Sequence, residues 1–145
     1  MKIHTIVVHC SASPQGRGDN AETIHRWHKE RNWSGIGYHY VILEMGQIER
    51  GRPEYWTGAH VAGHNSNTIG ICLIGDKTFM DEQFAALADL IADIMSRHPE
   101  CKEVKGHYEL YSGKTCPNFD VPAFLKDPTR GAVFYETAIS GQRPP

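Results

Sequence analysis

No stretch of this 145-residue sequence approaches the roughly 18 consecutive apolar residues that a membrane-crossing helix requires, so membrane insertion is not expected. A basic excess is also missing. Formal net charge is -2 and the isoelectric point lies near 6.5, which leaves nucleic-acid binding without the phosphate affinity that usually carries it. Lys102, Lys105 and Lys114 come nearest to a basic patch and read as a solvated face. Cysteine is scarce as well: Cys10, Cys72, Cys101 and Cys116 form neither a CxxC pair nor a dense disulfide framework. In a reducing compartment such residues are free thiols or metal ligands. The run from Met1 to Val8 lacks the apolar length and small-residue cleavage pattern of a secretory signal, so the expectation is a chain made and left in the cytoplasm. Internal repeats and low-complexity tracts are missing too.

What is present fits one packed domain: 40% of residues are hydrophobic and 22% charged, and the length suits one core. Ile3 to His9 is β-branched enough for a strand buried on both faces, stopped by Cys10-Ser11-Ala12-Ser13-Pro14, with His9 at its C-terminal end. Asp19 or Asn20 caps a helix running to about Arg31, with Ile24 and Trp27 on its apolar side. Tyr38 to Leu43 reads as a second strand, joined through Glu44-Met45-Gly46-Gln47 to a short antiparallel partner, Ile48 to Arg50. Arg52 to Asn67 has no steady periodicity and reads as a long ordered loop, a feature unusual unless functional. Thr68 to Gly75 should be a central strand. Phe84, Leu87, Leu90, Ile91, Ile94 and Met95 recur at helical steps, which predicts an amphipathic helix from Asp81 to about Arg97. Pro99 ends it, Val104 belongs to a short strand, and a loop from Gly106 to Pro117 leads to a brief helix near Val121 to Leu125. The expected organisation is a single α/β domain over residues 1–126, with a central mixed sheet flanked by helices, and a loosely held tail over residues 127–145.

Cys72, inside Ile71-Cys72-Leu73-Ile74, reads as a small core residue, and Cys101 has no visible role. His9, His107 and Cys116 fall at strand ends or in adjoining loops, where distant parts of a chain converge over the edge of an open sheet. Two imidazoles and a thiolate suit zinc and leave a fourth position for water. Placement alone does not choose this set, because a histidine at a strand end is more often a hydrogen-bonded structural residue. His25 and His28, three apart on the first helix, are an equally legal metal pair, although Arg26 and Lys29 beside them suggest a polar helix face.

A resemblance extends well beyond these ligands. Val7-Val8-His9-Cys10-Ser11-Ala12, Trp27-His28-Lys29, Gly37-Tyr38-His39-Tyr40, Gly58-Ala59-His60, Asn67 to Gly75, Gly106-His107-Tyr108-Glu109 and Lys114-Thr115-Cys116-Pro117 resemble, in order and spacing, the phage lysozyme-type N-acetylmuramoyl-L-alanine amidases. These belong to the zinc amidase superfamily that includes the peptidoglycan recognition proteins. The resemblance covers roughly Ile3 to Leu125. It implies one zinc ion held by His9, His107 and Cys116, with Tyr38 and Lys114 matching the family's catalytic tyrosine and lysine. His107 and Cys116 are nine positions apart, one more than is usual in the family, and the extra residue falls in the loop from Leu110 to Gly113.

The implied activity is hydrolysis of the amide between N-acetylmuramic acid and L-alanine in peptidoglycan, by a monomeric phage endolysin. Such an enzyme would meet the wall through a holin-like pore or by delivery as a toxin. A thiolate leaves the zinc site formally +1, so Lys114 would support the developing negative charge and Tyr38, near an ordinary pKa of about 10, would position water or relay a proton. His60 resembles a position near the cleft and could touch substrate or stabilise its loop. Glu109 could orient a ligand histidine or be a surface carboxylate. Strand alternation would put Tyr38 and Tyr40 on one face and His39 on the other. Two rival readings remain open: a peptidoglycan-binding module without catalysis, and a regulatory binder, since phage relatives of this kind also inhibit a phage RNA polymerase.

Overall fold

The computed structural model of the chain describes residues 2–127. The elements run β1 (Thr5–Cys10), α1 (Ala21–Glu30), β2 (Tyr40–Ile42), β3 (Ile48–Arg50), β4 (Thr68–Leu73), α2 (Asp81–Arg97), β5 (Glu103–Gly106), α3 (His107–Leu110) and α4 (Val121–Lys126). The tail expected over residues 127–145 lies outside the described residues except for Asp127. No helix among those described is long and apolar enough to cross a membrane.

The sheet has five strands in the order β3-β2-β4-β1-β5. Among the described residues only the β2–β3 hairpin is antiparallel; β1 pairs in parallel with β4 and β5, and β2 pairs in parallel with β4. The sheet is therefore mixed, and Thr68–Leu73 is its central strand, as its apolar run implies. Large and small residues alternate along this strand. Ile69, Ile71 and Leu73 join Ile6, Val8, Ile42 and the α2 residues Phe84, Leu87 and Ile94 in the main core, while Thr68, Gly70 and Cys72 occupy the opposite face because strand side chains alternate. Register places His9 beside Cys72 and Val7 beside Gly70. The small-residue face of β4 thus gives His9 room on the side away from the main core.

Helix α1 covers part of that second face, where Ile24 packs with Ile36, Val41, Cys72 and Ile74. Asn20 caps it: its side chain accepts from Thr23 N at 3.0 Å, and its own N–H donates to Thr23 Oγ1 at 3.1 Å. The long loop after β3 is held near both ends. Glu54 takes Arg97 at 2.8 Å and His98 at 2.7 Å from the end of α2, and the Asn65 side chain accepts from His60 N and Val61 N at 2.8 and 2.9 Å.

Four expectations need correction. The second strand begins at Tyr40, not Tyr38, and alternation fails across His39: Tyr40 joins the main core, whereas Tyr38 packs with the α1 cluster. His28 does not lie on a polar helix face; it is buried, and its Nδ1 accepts from Gly37 N at 2.9 Å. The span from Gly106 to Pro117 is not all loop, since His107 opens the short helix α3. Cys101 is buried in the main core.

Leu87 is fully buried between α2 and the sheet. Leu87→Ala should lower unfolding stability by about 2–5 kcal/mol through lost burial and a residual cavity. Urea denaturation measures this, and a loss below about 1 kcal/mol would contradict the packing described.

Candidate metal centre

Three segments that are far apart in the chain meet at the C-terminal edge of the sheet. His9 is the penultimate residue of β1 and is buried. His107 follows β5 directly, and the backbone around it is braced by Glu109, whose Oε1 accepts from Gly106 N at 2.8 Å. Cys116 returns alongside β1: Tyr108 N donates to its carbonyl at 3.1 Å, and Cys10 N donates to its Sγ at 3.0 Å. An amide donor of this kind favours a charged sulfur.

The donor atoms of His9, His107 and Cys116 all lie within 4.8 Å of one another. Nδ1 of His9 and Nδ1 of His107 are 3.2 Å apart. Two nitrogens bound to one tetrahedral zinc at about 2.0–2.1 Å would stand about 3.3 Å apart, so the spacing fits such an ion. The electrostatics agree with that fit. Burial, then His60 and His107, holds the His9 pKa well below the usual value; burial and then Lys114 lower that of His107. Both rings therefore stay neutral and keep a lone pair. The hydrogen bond with the Cys10 side chain, then burial, pushes the Cys116 thiol well above its usual value, so a bound cation is what would hold a thiolate there.

Beside this group opens a cleft of about 480 Å³. Tyr38, His60, His107 and Lys114 line it together with Trp33 and Tyr111, whose ring lies 6.2 Å from that of His107. The Tyr38 ring lies 5.0 Å from that of His9. Burial, followed by the neighbouring thiols of Cys72, Cys116 and Cys10, raises its pKa well above 10, which keeps it a neutral phenol. Lys114 is exposed at the cleft.

The remaining candidates separate. His60 is buried, with Nδ1 2.9 Å from His9 Nε2 and Nε2 3.1 Å from Thr68 Oγ1, so both its nitrogens have partners within the fold rather than one being free for a ligand. Burial, followed by the neighbouring His39, His107 and Arg52, holds its pKa at about 3. Glu109 is exposed and braces the backbone; among the described residues its carboxylate makes no hydrogen bond to a ligand ring. His25 and His28 do not converge, because His25 Nδ1 accepts from Ile36 N at 3.1 Å and His28 Nδ1 from Gly37 N. Trp33, which packs at a tilt against His28 with centroids 4.5 Å apart, and Tyr111 carry no sequence signal. The Trp27-His28-Lys29 segment was the one available pointer to His28.

A mixed sheet with two imidazoles and a thiol converging at its edge beside an open cleft defines a candidate metal-dependent hydrolase. Residues 1–119 match the N-acetylmuramoyl-L-alanine amidase family, and the chain belongs to that family. Among its relatives is the endolysin of Escherichia phage T7, 36% identical over 124 residues, covering 80% of this chain and 81% of the relative. The N-acetylmuramoyl-L-alanine amidase LysC from Clostridium intestinale URNW has a similar structure, with a TM-score of 0.78, 30% identity, and coverage of 86% of this chain and 85% of that one. The Drosophila peptidoglycan recognition protein PGRP-LB superposes with a TM-score of 0.71 at 28% identity, covering 80% of this chain and 75% of its own.

Burial of His28, then nearby Arg31 and Arg52, lowers its pKa to about 4. The folded protein therefore binds a proton less readily there than the unfolded chain, whose histidine titrates near 6.5. Stability from this group is complete above pH 6.5 and declines as pH falls toward 4. His28→Asn keeps an acceptor for Gly37 N without titrating. The wild type should lose about 1–2 kcal/mol more than this variant between pH 6.5 and 4, less than the whole shift would supply because the ring edges the cleft. Parallel urea curves for the two proteins would contradict this.

Proposed function

We propose that this chain is a zinc-dependent N-acetylmuramoyl-L-alanine amidase that cuts the amide between N-acetylmuramic acid and L-alanine in peptidoglycan, as an endolysin. The observation that carries the reading is the convergence of His9 Nδ1, His107 Nδ1 and Cys116 Sγ beside a cleft that His107 lines and that is large enough for a substrate segment. Membership of the amidase family supports it, as do the phage endolysins among the relatives.

His9, His107 and Cys116 would hold the zinc, whose contribution when bound is Lewis acidity and an acidified water. The chain's own residues do the rest. Lys114, a cation on the cleft wall, stabilises the negative charge that gathers on the scissile carbonyl oxygen. Tyr38 is held as a neutral phenol, so it donates a hydrogen bond and orients the reacting groups rather than acting as a base. Trp33 and Tyr111 supply aromatic surface on the cleft wall for the sugar or peptide. The enzyme acts on the cell wall, reached through a pore made by another protein.

Mass spectrometry of digested cell wall tests the cleaved bond: stem peptides with a free L-alanine amino terminus are expected, and release of reducing sugar ends alone would overturn the assignment. Cys116→Ser should remove stoichiometric zinc and activity together, read by metal analysis and wall clearing. Lys114→Ala should keep zinc and lose about 10²–10³-fold in turnover; near-normal turnover would rule out the electrostatic role.

A further inference from the structure

The buried side of His9 carries a chain of hydrogen bonds that ends on backbone. Its Nε2 lies 2.9 Å from His60 Nδ1, His60 Nε2 lies 3.1 Å from Thr68 Oγ1, and the same hydroxyl lies 2.9 Å from His64 O and 3.0 Å from Asn65 O. A carbonyl can only accept. An oxygen–oxygen approach this close without a proton is repulsive, so the single Thr68 hydroxyl proton is committed to these carbonyls. Thr68 then presents a lone pair to His60, and the proton of the His60 ring must sit on Nε2. A neutral imidazole with its proton on Nε2 has a bare Nδ1, which accepts from His9. His9 therefore carries its own proton on Nε2 and keeps Nδ1 bare, and that is the atom 3.2 Å from His107 Nδ1.

The geometry points to a relay, from the carbonyls of His64 and Asn65 through Thr68 and His60 to His9, that sets the tautomer of His9 and aims its lone pair at the metal position before any ion arrives. This rests on the zinc reading above. His60 and Thr68 are positioning residues, and the site is built to seat them. A Cβ on Gly70 would come within 2.6 Å of the His60 ring, and one on Gly58 within 2.7 Å; the ring fits only because both positions lack a side chain. Asn65 ties down the 60–65 turn that supplies the acceptors, through the backbone of His60 and Val61. His39, packed 5.8 Å from His60, is locked separately, with Nδ1 accepting from Gly70 N and Nε2 directed at Trp56 O.

Nitrogen-15 NMR of the ring nitrogens in metal-free protein reads the tautomers directly. Protonated Nε2 and bare Nδ1 are expected on both His9 and His60. Competition titration against a zinc-binding dye reads the consequence: Thr68→Val and His60→Leu should weaken zinc binding by about 10–100-fold. Thr68→Ser, which restores the hydroxyl, and His60→Asn, which restores an acceptor for His9, should stay close to wild type. Recovery by these two variants separates tautomer control from general destabilisation. A proton on Nδ1 of His9, or Thr68→Val and His60→Leu proteins that bind zinc like wild type, would overturn the relay. Failure of the wild type to take up one zinc would instead overturn the zinc reading, while the tautomers, measured without metal, would still decide the relay.

Discussion

Two ring nitrogens facing each other at 3.2 Å, with a thiol beside them, are the constraint around which this molecule is arranged. Without a proton or a cation between them, their lone pairs repel. Holding them there requires rigid backbone on both sides. The fold supplies it by placing His9 inside a strand buried on both faces and His107 on the first residue after the neighbouring parallel strand. Cys116 arrives on a loop, but that loop is tied back to the other two segments by the Cys10 and Tyr108 amides. The three candidate ligands are thus fixed by main chain, and the side chains need little freedom to meet.

The division of the sheet into two unlike faces follows from the same need. Main-core packing uses Ile69, Ile71 and Leu73 on one side of β4, so α2 covers that side tightly. On the other side Cys72 packs with the aliphatic residues around α1, whereas Thr68 and Gly70 leave a shallow hollow that the His60 ring enters, with His9 and His39 packed beside it. Neutral imidazoles pack there because burial holds their pKa values low. This also explains why residues 52–67 form a long loop without regular structure and yet remain ordered: it delivers His60 to the hollow and anchors itself through Glu54 and Asn65.

Exposure separates the chemical roles within the cleft. Tyr38, pressed against buried thiols, stays neutral and directional, while Lys114 is exposed at the solvent edge. In the proposed amidase, a site with one thiolate would carry less positive charge than one with three imidazoles, and Lys114 on the cleft wall would offset that deficit where the carbonyl oxygen becomes negative. Lys114 is on the same loop that carries Cys116, so the placement of ligand and cation is shared.

Patterns of polarity and size along the chain were enough to determine the strands, the capped first helix, the long amphipathic helix and the central position of Thr68–Leu73, because alternation and helical spacing are local. The candidate ligand set is legible only through the ordered segments around it, since nine histidines and four cysteines allow many triads. Tertiary structure decided the rest. The break in alternation at His39, the burial of His28 against Gly37 and the pairing of His60 with both His9 and Thr68 depend on contacts between residues far apart in sequence, and no local pattern encodes which ring nitrogen meets which partner. The hollow that admits the His60 ring exists because Gly58 and Gly70, on two separate segments, both lie against that ring without a side chain.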